Sequence, residues 1–195
     1  MSEMTEEQNP SQESDVKESP GTEDYNKAKE LLAAGDHAQA AALFHNALIT
    51  YEQSGDEKGL ANAADQLGDI CVLRQDHEKA LNHFHRSYEI CEKLADPFSL
   101  LSLRKKMAAS LWAMKQHEDA ARMLITILDT YGTYNNPAGA VITLEELAKL
   151  YLDMGERDKA ADTYRTVASI HKNFKHKRQA AEFQDMVSKI EEGTI

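Results

Sequence analysis

Histidine and cysteine are the residues here that metal or nucleophilic chemistry would use first. His37, His77 and His117 recur at a spacing of 40 residues, with Arg157 in the fourth place. Three imidazoles in one column suggest zinc. Ligands of one ion must each lie about 2 Å from it, whereas equivalent positions of stacked helical units stand about 10 Å apart. No metal is therefore expected. His45, His83 and His85 carry no ligand spacing and are expected to be solvated. Glu145 and Glu146 are adjacent, so on a helix they point in different directions and form no acid/base pair. The chain has no Gly-rich phosphate loop, no nucleophile elbow and no HExxH or CxxC pattern. No enzyme and no cofactor are expected.

The elements that would carry these residues are written in the same spacing. Ala40, Ala80, Ala120 and Ala160 fall in one column, with Phe44, Phe84, Leu124 and Tyr164 one helical turn later. A second small-residue column holds Ala28, Gly68, Ala108 and Ala148, followed at three places by Leu31, Cys71, Leu111 and Tyr151. Small residues let two helices approach and bulky ones fill the space beside them. One hairpin cannot bury its apolar faces alone, so stacked neighbours bury them jointly. Start signals agree: Asp56, Asp96-Pro97 and Asn136-Pro137 are again 40 apart, a cap with proline at the first helical position in two of them. Thr22 is expected to cap the first helix, with Glu23 and Asp24 in its first turn. Asp36 is expected to cap the second, with Gln39 completing a capping box.

The reading is all-α: four antiparallel helix pairs at about 22–55, 56–95, 96–135 and 136–175, then a capping helix at 176–192. In that last helix Ala181, Phe183 and Met186 are expected to form the apolar stripe, opposite Lys177, Arg178, Glu182, Asp185 and Lys189. Cys71, near the turn of its hairpin, and Cys91, far from it, are offset by roughly 15 Å along the helix axis. A bridge tolerates about 7 Å between Cα atoms, so both thiols are expected to be reduced.

Small-x2-large in the first helix and small-x3-aromatic in the second resemble the tetratricopeptide repeat (TPR), in a variety with a longer, 40-residue period. Gly35 and Gly155 stand where that family often has its inter-helix glycine, while Gln75 and Lys115 replace it in the middle repeats. The resemblance covers residues 22–192. It implies a right-handed α-solenoid whose first helices line a concave face that receives a peptide or partner helix. The histidine column then has a local packing role. The matching concave positions are Tyr25, Lys29, Asn62, Asp65, Gln66 and Asp69 in the first two repeats, and Lys105, Lys106, Ala109, Trp112, Glu145, Lys149 and Leu152 in the others. Asp65, Lys105 and Glu145 alternate in sign and could pair laterally. Trp112 either lines the groove or fills the core. Some family members clamp a C-terminal carboxylate; the positions here read Tyr25 and Lys29, Gln66, Ser102 and Lys106, without the asparagines, and that clamp is not expected. The implied function is a scaffold or adaptor that binds another protein. The alternatives are a peptide- or ligand-sensing regulatory solenoid and a self-associating assembly factor, so a homo-oligomer stays open.

The balance of charge bounds the partners. A net charge of −11 opposes nucleic acid and anionic membrane as general partners. No apolar run approaches 18 residues and no basic-then-apolar start is visible, so no membrane insertion and a cytoplasmic location are expected. Residues 1–21 hold Glu3, Glu6, Glu7, Glu13, Asp15 and Glu18 against Lys17 alone, and such a segment is expected to stay disordered. It reads as a solubilising tail in preference to an arm that folds on a partner. His171, Lys172, Lys175, His176, Lys177 and Arg178 form one basic cluster. It reads as a solvated turn whose cations suit a helix C-terminus; a dock for an acidic segment is the other reading.

Overall fold

A computed structural model describes residues 19–195. Most of the acidic segment at 1–21 therefore lies outside the described residues. Within them the chain forms nine helices and no strand: α1 (Thr22–Ala33), α2 (His37–Ser54), α3 (Glu57–Leu73), α4 (His77–Lys93), α5 (Pro97–Ala113), α6 (His117–Thr133), α7 (Pro137–Asp153), α8 (Arg157–Asn173) and α9 (Lys177–Glu191). Each packs on the helix before it and the helix after it. This is an all-α helical repeat solenoid.

The turns set its regularity. Gly35, Gly55, Gln75, Ala95, Lys115, Asn135, Gly155 and Lys175 all have φ between 50° and 84°, at 20-residue intervals. After each, the next N–H closes back on the preceding helix, as from Asp36 to Leu31 O (2.9 Å), Asp96 to Cys91 O (3.0 Å) and His176 to His171 O (2.9 Å). This double closure satisfies carbonyls that a helix end leaves free. Helices α3 to α8 each hold 17 residues, and a three-residue turn makes 20. The 40-residue repeat is thus two equal units, and five of the eight left-handed turn positions hold no glycine.

Caps start the helices. Backbone N–H groups of Gln39 (3.0 Å), Gly59 (2.8 Å), Ser99 (3.1 Å) and Gly139 (2.9 Å) donate to the side chains of Asp36, Asp56, Asp96 and Asn136. Two expectations are corrected. Gly21, at φ 95°, holds the cap position of α1, and the Thr22 hydroxyl donates to Ser19 O at 2.7 Å. The Gln39 amide donates to the Asp36 carboxylate and forms no capping box, because the Asp36 N–H is already held by the preceding turn.

The apolar spacing becomes a continuous core. In α2, Ala40, Phe44, Ala47, Leu48 and Tyr51 are buried, at steps of three and four that define one helical face. The small-residue column is buried throughout, and Phe44 and Phe84 are fully enclosed. Each such ring contributes about 1.5–3 kcal/mol by leaving water. At Gly68 an added Cβ would stand 2.3 Å from the Phe84 ring. A second ring-on-glycine contact joins successive repeats, Tyr51 on Gly59 and Tyr131 on Gly139, where an added Cβ would meet the rings at 2.5 and 2.3 Å. In α9, Val187 and Ile190 are buried, with Phe183 and Met186 against them. Ala181, placed in that stripe from sequence, is exposed; its direction is that of the polar face.

Candidate functional site

The first helices of successive repeats reach one another through long polar side chains. From α5, Lys106 Nζ donates to both carboxylate oxygens of Asp65 (2.7 and 2.8 Å) and to Asp69 Oδ2 (2.7 Å), both on α3. The same ammonium stands 5.6 Å from the centre of the Phe84 ring. Burial pushes the Asp69 carboxyl above the usual carboxylate range, against the opposing hydrogen bond from Lys106. Burial alone would lower Lys106, but its bonds to Asp65 and Asp69 outweigh that and hold it up. From α5 to α7, the Trp112 indole N–H donates to Asp153 Oδ2 at 2.8 Å.

Other predicted positions lie around this line. Tyr25 is half-buried, edge-on to Phe44 (5.3 Å) and to Tyr51 (6.4 Å). Burial raises its hydroxyl, with Tyr51 and the Asp65 charge adding to it. Lys29 reaches over the Tyr25 ring at 5.9 Å. Lys105 stands over the Tyr131 ring at 5.1 Å; two repeats after the Tyr25–Tyr51 pair, it makes the same contact with a cation in place of a ring. Asn62, Ala109 and Lys149 are exposed, and Gln66, Glu145 and Leu152 are half-buried. Trp112 is half-buried against the core around Leu124 and Ile127, with its N–H outward.

Of the lateral pairing open to Asp65, Lys105 and Glu145, the bond to Asp65 is made by Lys106 instead, and among the described residues Glu145 makes no ion pair. One residue along a helix turns the side chain by about 100°, which takes Lys105 to Tyr131 and Lys106 to α3. Asp153 was missed. Its signal is a 41-residue offset from Trp112, one more than the repeat. Lys106, a candidate for a carboxylate clamp, already has two carboxylates.

The histidines of the 40-residue column open α4, α6 and, with His37, α2, all half-buried. Among the described residues no group of three or more His, Cys, Asp or Glu side chains converges as metal ligands would. His45 and His85 are exposed, but His83 is half-buried. Burial lowers its pKa, with help from Arg86 and His45, which corrects its reading as solvated. Cys71 and Cys91 are free thiols, both pushed up by burial. Among the described residues no helix is long and apolar enough to cross a membrane.

An all-α solenoid of paired helices, joined along its first helices by polar side chains, belongs to the class of helical-repeat proteins. The tetratricopeptide repeat family signature matches residues 24–93 and again 143–178, and the chain belongs to that family. Solved structures agree in fold. The apo form of RapI superposes with a TM-score of 0.74 at 13% identity, over 87% of this chain and 48% of that one. BtubC (BKLC) from P. vanneervenii gives 0.61 at 15% identity, over 86% and 78%. The TPR domain of Arabidopsis FLU gives 0.54 at 20% identity, over 60% and 98%. No curated protein matches the sequence at a significant level.

Proposed function

We propose that this chain is a non-catalytic scaffold that binds a segment of another protein along its first helices. The observation that carries the reading is the direct contact between first helices across repeats, Lys106 to Asp65 and Asp69, then Trp112 to Asp153. It joins α3, α5 and α7 into one polar face, with Asn62, Lys105 and Lys149 exposed beside it. A partner segment lying across that face would exchange hydrogen bonds with these side chains and cover the outer edge of Trp112, a residue type enriched among interface anchors.

The test is photo-crosslinking in a lysate of the source cells. Crosslinkers replace Asn62, Lys105 or Lys149, and control positions are Glu89 on α4 and Lys159 on α8. One protein captured from the three first-helix positions, not from the controls, and lost in a Lys105→Glu, Lys149→Glu variant of unchanged helicity, is the expected result. Capture equal from the control helices would refute the reading.

A further inference from the structure

The C-terminal junction departs from the repeat, and the departure is chemical. A cleft of about 380 Å³ opens between α7, α8 and the start of α9, with an almost wholly apolar lining that includes Val141, Ile142, Ile170 and Phe174. Ile142 is 59% exposed and Phe174 55%. Ile170 and Phe174 also line a neighbouring hollow with Tyr131 and Leu144, so there is room for two bulky groups. His171 and His176 close one end of the cleft, Nδ1 to Nδ1 at 3.3 Å.

Comparison with the other repeats shows what is particular here. Tyr134 and Leu94, the equivalents of Phe174, are exposed too. The equivalents of Ile142, however, are Ser102 and Asn62, and the hollow beside Tyr134 mixes Pro97 and Leu100 with Arg104, Asp129 and Thr130, whereas the fourth-repeat cleft is apolar. The same holds for charge. Lys172, Lys175 and Lys177 stand where earlier repeats have Gly132 and Glu92, Asn135 and Ala95, and Pro137 and Pro97. All three lysines are exposed, and among the described residues none of them makes an ion pair, while Arg178 holds Glu182. A chain of net charge −11 thus sets three exposed lysines next in sequence to His171, Phe174 and His176 of the cleft lining.

We infer that this cleft is a docking site for a short acidic peptide of a partner protein, with one or two bulky apolar residues as anchors. The anchors fill the hollows beside Phe174, and carboxylates on either side face Lys172, Lys175 and Lys177. An extended anionic surface, membrane or nucleic acid, would also meet the acidic remainder of the solenoid. A short peptide samples only the local field, because salt screens charges beyond about 8 Å.

The experiment uses the full chain and a fluorescein-labelled peptide with a Leu–Phe pair flanked by glutamates, read by anisotropy. Expected is saturable binding that weakens with salt. Phe174→Ala with Ile142→Ser should weaken it at least about tenfold. Lys172→Glu with Lys177→Glu should do the same and flatten the salt dependence. These side chains are exposed, so melting temperature should stay within about 2 °C. Ile142 lies on α7 in the register of Asn62, so the cleft adjoins the first-helix face; a Lys105→Glu, Lys149→Glu variant should still bind the peptide normally, which distinguishes failure of the cleft from failure of that face. Several results would overturn it: no binding at about 1 mM, equal binding of a peptide with lysines for glutamates, or equal binding by the cleft variants. Tighter binding after removal of residues 1–18 would give the cleft to the chain's own acidic segment. Phe174-dependent sedimentation with phosphatidylserine vesicles would give it to a membrane.

Discussion

Replacing Lys106 by Met removes one ammonium and keeps most of the chain that lies along Phe84. Asp65 and Asp69 are then left facing each other on α3 without a cation. Lys106, Asp65 and Asp69 are 27%, 26% and 36% exposed, between the surface and the interior. Exposed pairs are worth about 0–1 kcal/mol and the breaking of a buried one costs about 3–5 kcal/mol. This loss should fall near ~2 kcal/mol, or roughly 4–8 °C in melting temperature for a domain of this size. The pH dependence has a definite sign. Burial already raises Asp69 above the ordinary carboxylate pKa, and Lys106 opposes that rise; the variant raises it further. A carboxyl raised on folding opposes folding when ionised, and that penalty disappears as pH falls through its folded pKa towards the unfolded value of about 4. The deficit of Lys106→Met should therefore be largest near neutral pH and narrow by about pH 4.5. Melting curves by circular dichroism at both pH values, with Lys106→Met, Asp69→Asn alongside, decide it. A gap below ~0.5 kcal/mol at neutral pH, an equal gap in acid, or a double variant as weak as the single would refute the charge argument.

Three further outcomes are expected from urea or thermal melts. Gly68→Ala should destabilise: the gain in helix propensity is about 1 kcal/mol, but a Cβ 2.3 Å from the buried Phe84 ring forces an overpacking cost of about 1–3 kcal/mol; a higher midpoint would contradict this. Ala95→Gly should stabilise by about 0.5 kcal/mol, because Ala95 sits at φ 52°, where a side chain costs about 1–2 kcal/mol and glycine loses part of that gain in unfolded-chain entropy; a lowered midpoint would contradict it. Asp56→Ala removes the Gly59 cap at 2.8 Å and, after allowance for solvent screening, should cost about 1 kcal/mol or less near neutral pH. Hydrogen bonds from Ser19 and Gly59 hold Asp56 below the ordinary carboxylate range, so its contribution is present above the unfolded pKa and lost as pH falls through the folded one. The deficit of the variant should accordingly shrink as pH falls below the unfolded value of about 4.

The repeat was legible because close packing constrains residue type at fixed intervals. Ala40, Ala80, Ala120 and Ala160 can be nothing large, and Asp56, Asp96 and Asn136 announce helix starts through their caps. The turns were half legible. Glycine marks the left-handed position at 35, 55 and 155, but Gln75, Ala95 and Lys115 occupy it equally. The closing hydrogen bonds compensate for the local cost there, and that compensation leaves no residue signature. The polar face was legible only as a set of positions. Whether Lys105 or Lys106 reaches α3 depends on a rotation of about 100° and on the length of a flexible side chain. Ala181 went astray for the same reason, one residue round from Ala180.

The way successive repeats are joined gives Lys106 a larger part than its charge alone suggests. The junctions from α2 to α3 and from α6 to α7 are each seated by a tyrosine ring on a glycine, Tyr51 on Gly59 and Tyr131 on Gly139. At the central junction, α4 to α5, the equivalent residues are Cys91 and Ser99, without a ring on a glycine. Lys106 bridges α3 to α5 across that same junction. The centre, where the two ring-seated halves of the solenoid meet, is instead packed by Phe84 and Ile90 against Leu103 and Met107, with Arg104 on Tyr88, and Lys106 adds a charged strut to that apolar contact. A perturbation of Lys106 should act on how the halves meet, and it should leave the packing within each half as it was.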